Sequence, residues 1–352
     1  MSNVKFDPNG VIPDNGNYFG IPIAPEQAAL VLISAPWDTT VSMRAGSSYA
    51  PDAIIEASRR IDFFDPIAPN TWRKGIATLP VDYSIQDLSH RMRSEAVRVI
   101  KVHEDIGSTA FDHLVYERRL RRVNEASAEV NANIYAQARQ WLRRNKIVGL
   151  VGGDQSTAYG LIRATGEHHS SFGILHIDSC CDLKPAYQGF EHSHASIMYN
   201  VLRDVPEISR LVSVGVRSFS PAEWERAESD ERIKLYTGQQ LYKERFEGVT
   251  WSDTCSRIVD DLPEKVYLSF DIDGLTIECS PNTGTIVTGG LRYPEVVYLI
   301  NRVVESGRQI VGFDLTEVVP APDCKTDATI AARLLFSICS IALKPSATPD
   351  VL

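Results

Sequence analysis

Five short apolar runs, each ending in polar or acidic residues, constrain this 352-residue chain more than any other feature. They are IVGLVGGD (147–154), FGILHIDS (172–179), LVSVGVRS (211–218), KVYLSFDID (265–273) and QIVGFDLTE (309–317). Helical patterns separate them. Continuous apolar strands alternating with helices build a parallel sheet covered on both faces. With the earlier run ALVLISAPW (29–37), at least six strands are expected. Residues 91–105 and 115–145 carry apolar residues at three- and four-residue spacing and read as surface helices, the second closed by the basic run RRNKI. Residues 1–28, rich in Pro, Gly and Asn, read as an extended arm. No linker, repeat or low-complexity tract divides the chain, so residues 1–352 are expected to form a single α/β domain.

Charge narrows the partners. The 36 Lys and Arg against 45 Asp and Glu leave a net charge of −9, the wrong sign for a nucleic-acid footprint. No apolar run reaches the ~18 residues of a membrane span. The N-terminus lacks a basic segment followed by an apolar one, so no secretory leader is expected. Six cysteines, two of them adjacent (Cys180 and Cys181), make no disulfide framework, and reduced thiols in a cytoplasm are the simplest expectation.

In a doubly wound sheet, ligands bind beyond the carboxyl ends of the strands, and there this chain gathers its acids. Asp154 and Gln155 follow the first run; Asp178, Cys180 and Asp182 the second; Asp271 and Asp273 the fourth; Asp314 and Glu317 lie in the last. Residues two apart in an extended segment share a face, so Asp178, Cys180 and Asp182 can point together, as can Asp271 and Asp273. Converging carboxylates repel one another unless a cation joins them. Any single Asp here could instead cap the helix that follows its strand.

VGGDQS, HIDSCCD, LSFDID and TEVVP, in this order and spacing, resemble the metal-binding signatures of the ureohydrolases: arginase, agmatinase and formimidoylglutamase. PWDTTVSMRAGSSYAPDAI and PNTGTIVTGGL (281–291) match further segments of that family, and the resemblance covers about residues 28–340. It implies a three-layer α/β/α fold with a doubly wound, mainly parallel sheet. It also implies a binuclear manganese centre that activates water against the trigonal carbon of a guanidine or amidine. By the same resemblance, Asp178 and Asp271 bridge the metals, while Asp182 and Asp273 each complete one site. His194 shuttles protons, Glu317 pairs with the substrate guanidinium, and Glu223 lies near the substrate amine. A homo-oligomer, trimer or hexamer, and a small guanidino or amidino substrate are implied as well.

Two departures qualify the resemblance. Gln155 and Cys180 stand where the family has the two imidazole ligands of its cluster. Ser220 stands where arginase has an acid, so an arginine α-amino group would lose a partner there. Thr276 and Ile277 also replace an Asp-Pro pair. Three outcomes stay open. The cluster persists with a neutral Gln155 oxygen and a Cys180 thiolate, the latter favouring Zn²⁺ or Fe²⁺ over Mn²⁺, with Ni²⁺ also to be tested. Alternatively, metal is lost and the protein is a catalytically silent homologue with a binding or regulatory role. Or Cys180 is itself a nucleophile with His194 as base. His176 reads as a packing residue, His192 as a loop residue, and the glycine pairs at 152–153 and 289–290 as close passages of backbone beside the metals.

Overall fold

In the computed structural model, which describes residues 6–104 and 112–345, eight strands form one all-parallel sheet. They are β1 (Leu30–Ala35), β2 (Ile76–Thr78), β3 (Ile147–Gly152), β4 (Phe172–Ile177), β5 (Ile208–Val214), β6 (Ile233–Tyr236), β7 (Lys265–Asp271) and β8 (Gln309–Thr316), in the spatial order β2-β1-β3-β8-β7-β4-β5-β6. Both faces are covered. Leu30 and Leu32 of β1 point into one apolar cluster, together with α1 (Ala50–Ser58), α9 (Tyr293–Glu305) and α10 (Thr326–Ala342). Val31 and Ile33 point into the other, with α3 (His113–Leu142), α4 (Ala158–His168) and α5 (Ile197–Asp204). This alternation turns a continuous apolar run into a strand buried on both sides, and the three-layer expectation holds.

The remaining helices are α2 (Tyr83–Glu104), α6 (Pro221–Ser229), α7 (Gly238–Phe246) and α8 (Trp251–Asp260). The expected helix over 91–105 begins earlier, at Tyr83, and residue 105 lies outside the described residues. The edge strands β2 and β6 go beyond the six expected; at three and four residues they are too short to show a period. The N-terminal segment is less open than an arm. Tyr18, Phe19 and Gly20 form a buried turn, and the Phe19 ring meets Phe336 edge-on at 5.3 Å. Among the described residues no helix is long and apolar enough to cross a membrane.

The order β3-β8-β7-β4 matters most for chemistry. Strands β3 and β4 follow one another in sequence but are separated in the sheet by β8 and β7. Their carboxyl ends line up at the centre of one sheet edge, where a ligand crevice is expected in such folds.

Candidate metal centre

The exit of each central strand sets a polar group at this edge. At the end of β3, Asp154 caps a short turn by accepting the Ser156 N–H at 3.0 Å, and Gln155 follows, fully buried. At β7, Asp271 accepts the Asp273 N–H at 2.8 Å, so it caps its turn and also stands within the acidic cluster. The capping and clustering readings are thus compatible. Beyond β4, Asp178 accepts the Cys180 N–H at 2.6 Å, and the chain turns at Asp182 in a left-handed conformation (φ 55°). At the end of β8, Glu317 also holds positive φ (61°), and its Oε1 accepts the Gln155 N–H at 3.0 Å. Left-handed backbone at two non-glycine residues of one cluster is strain that the surrounding structure maintains.

The donor atoms of His176, Asp178 and Asp182 lie within 4.8 Å of one another, and so do those of Asp178, Cys180 and Asp273. Asp178 belongs to both sets. His176, read from the sequence as a packing residue, borders both Asp178 and Asp182. Its Nε2 lies 2.9 Å from Asp178 Oδ2, 3.9 Å from Asp182 Oδ2 and 3.3 Å from Gln155 Nε2. It belongs to a fully buried row, Ser213–His176–Ser269–Asp314, paired across β5, β4, β7 and β8. Alternation along β4 lets His176 share the face of Asp178, as the sequence suggests, whereas the neighbouring serines come from strands remote in sequence.

Burial raises these carboxyls, and their neighbours raise them further. Asp182, Asp271 and Glu317 are held well above the ordinary carboxylate range, first by desolvation and then by nearby acids. Asp273 is pushed up to about 7 by burial and the Asp178 charge, against hydrogen bonds from Ser179. The Cys180 thiol is driven upward by burial and by Asp273, Asp182 and Asp178, with Ser179 Oγ at 3.5 Å as a hydrogen-bond partner. That environment opposes a free thiolate, and no hydrogen bond joins Cys180 to His194 among the described residues, so the geometry required of a Cys180–His194 nucleophile pair is not met. Both adjacent thiols are free, and Cys181 packs into the apolar cluster.

A divalent cation fits this donor set. It would offset the mutual repulsion of the buried acids, and Gln155 Oε1 is a buried oxygen without a partner.

The flanking candidates have other ties. Glu223 and Ser220 form a capping box at the start of α6. Glu223 Oε1 also accepts the Leu183 N–H at 3.2 Å, and its Oε2 lies 3.2 Å from Lys184 Nζ, so this pair braces the loop carrying Asp182. His194 is half-buried, and its Nδ1 has no partner. Burial and then Lys184 lower its pKa to about 4. His192 stacks edge-on against Tyr159 at 5.0 Å.

The loop after Asp273 closes without the Asp-Pro pair. Thr276 N–H reaches Leu291 O at 2.9 Å, and Arg217 donates to the carbonyls of Asp273 (2.7 Å), Val287 (3.1 Å) and Thr288 (3.1 Å). Arg217→Met should lower stability by about 2–3 kcal/mol in a thermal melt, because these half-buried carbonyls lose a charged donor. One glycine of each pair also admits a close backbone neighbour. A Cβ on Gly153 would meet Trp37 O at 1.9 Å, and one on Gly290 (φ 108°) would meet Leu275 O at 2.3 Å. At Gly153 and Gly290 the close approach is backbone to backbone, whereas Gly152 and Gly289 face side chains of Thr157 and Thr316, and of Arg217 and Tyr242.

Residues 28–340 match the model of the arginase family. The chain belongs to the arginase family. It is 28% identical over 319 residues to the N(1)-aminopropylagmatine ureohydrolase of Thermus thermophilus, covering 90% of this chain and 92% of that one. It is 24% identical over 311 residues to the agmatinase of Bacillus cereus, covering 87% and 89%. In fold it is similar to proclavaminate amidino hydrolase from Streptomyces clavuligerus, with a TM-score of 0.71, 21% identity and coverage of 95% and 99%. The agmatine ureohydrolase of Thermoplasma volcanium gives 0.67 at 21% identity, over 91% and 92%. Arginase-family proteins are hydrolases of C–N bonds that depend on a binuclear metal centre, typically of Mn²⁺.

Proposed function

We propose that this protein is a divalent-metal-dependent hydrolase cleaving a C–N bond of a small guanidino or amidino compound at the β3-β8-β7-β4 edge. The observation that carries this reading is the set of four buried aspartates, Asp178, Asp182, Asp271 and Asp273, with an unpartnered buried oxygen on Gln155 nearby. Bound divalent cations would supply Lewis-acid charge and activate water near neutral pH. Asp178, Asp182, Asp271 and Asp273 would hold them, joined by Cys180 and Gln155.

The chain's own groups do the rest. Glu317 presents a carboxylate fixed by the Gln155 N–H and its constrained backbone, suited to a planar guanidinium. His194, neutral at pH 7, can take up a proton and pass it to the departing amine. Ser220 and Glu223 hold the Asp182 loop in place. The Glu223 charge is matched by Lys184, so a cationic substrate tail meets a neutralised pair. Guanidines with neutral or acidic tails should therefore outrank amine-tailed ones.

A second reading, a catalytically silent homologue, is favoured by the replacement of both imidazoles. Urea or ammonia release from a guanidine and amidine panel, with Mn²⁺, Ni²⁺, Zn²⁺ and Fe²⁺ each supplied, separates the two. Product release with one of these metals, abolished by chelation and restored on re-addition, is expected. If the parent is inert with every metal while Gln155→His with Cys180→His creates activity, the silent reading stands.

A further inference from the structure

We propose that His176 supplies a nitrogen ligand the family pattern does not provide, so that the cluster holds two unlike cation sites sharing Asp178. One is imidazole–carboxylate (His176, Asp178, Asp182) and the other thiolate–carboxylate (Cys180, Asp178, Asp273). This rests on the metal-dependent reading above and specifies which ions that centre takes.

Three observations carry it. First, each set places its donor atoms within 4.8 Å of one another around the common Asp178. Donors on one ion with bonds of about 2.1 Å stand roughly 3–3.5 Å apart. The 2.9 and 3.9 Å separations of His176 Nε2 from Asp178 and Asp182 bracket that span. Second, the imidazole is oriented as metal-ligating imidazoles usually are. Nδ1 lies 3.1 Å from Ser213 Oγ, and donation there leaves the Nε2 lone pair facing the acids. Third, Gln155 lies beside that nitrogen, with an oxygen that finds no partner in a fully buried site.

The two sets differ in softness. An imidazole with carboxylates accepts Mn²⁺, whereas a thiolate selects Zn²⁺ or Fe²⁺. Offered Mn²⁺ and Zn²⁺ together, the protein should take one of each, Zn²⁺ beside Cys180.

The test uses the full chain, stripped by chelation and reloaded. With Mn²⁺ and Zn²⁺, pulsed EPR should show directly bound nitrogen on Mn²⁺, kept in His194→Phe and lost in His176→Gln. With Co²⁺ as probe, a thiolate charge-transfer band should appear, kept in His176→Gln and lost in Cys180→Ser. Affinity for the first site should fall at least ~10-fold in His176→Gln. A parent spectrum lacking either signal decides against the inference even if a variant fails to fold. Two equivalents bound without nitrogen coupling, or without the thiolate band, would overturn this inference and leave the metal-dependent reading intact. No metal bound by the parent overturns both.

Discussion

Asp178→Asn should cut metal-dependent turnover by on the order of 10³-fold or more, since several kcal/mol of transition-state stabilisation depend on the cations it joins. Among the described residues, Asp178 is the residue common to both donor sets. The same change should stabilise the metal-free protein by about 1 kcal/mol, as removing a function-bearing strain often does. Its charge is among the causes that raise Asp182, Asp271 and Asp273, and an Asn side chain still accepts the Cys180 N–H. In excess metal the order should reverse. The parent gains about 4 kcal/mol at a thousandfold excess over its dissociation constant, and the variant gains little. Thermal melts with and without chelator read this crossing directly. A variant less stable than the parent in chelator would show that the cluster is a structural network and not a strained cation site.

Glu317→Gln should be nearly as damaging to catalysis, by a different route. The amide oxygen can still accept the Gln155 N–H, so the turn after β8 should survive. What is lost is the charge facing the substrate, worth about 3–4 kcal/mol where a charged partner is desolvated, or ~10²–10³-fold in kcat/KM. Metal content should be unchanged, which separates this variant from Asp178→Asn. Turnover within about threefold of the parent would remove Glu317 from the substrate side.

Much of this was legible because the sheet is parallel and buried on both faces. A strand buried twice is a solid apolar run, and β3, β4, β5, β7 and β8 stand out as such. Strand order was not legible, since it depends on β7 and β8 returning to the middle of the sheet. The acidic exits were visible because each follows its strand directly. The surroundings of His176 were not, for the opposite reason: its partner Ser213 is 37 residues away in sequence and meets it only through the β4–β5 register. Glu223 was legible as an acid near the site, but its ties to Ser220, Leu183 and Lys184 appear only once α6 is docked on the Asp182 loop.

The central claim is that this arginase-family chain keeps a divalent cation centre despite Gln155 and Cys180. Elemental analysis of the full-length protein, purified without chelator, tests it most directly. The account predicts about one to two equivalents of divalent transition metal per chain, released together with activity on chelation and restored with it. Less than about a tenth of an equivalent, with none taken up on reconstitution, would contradict it.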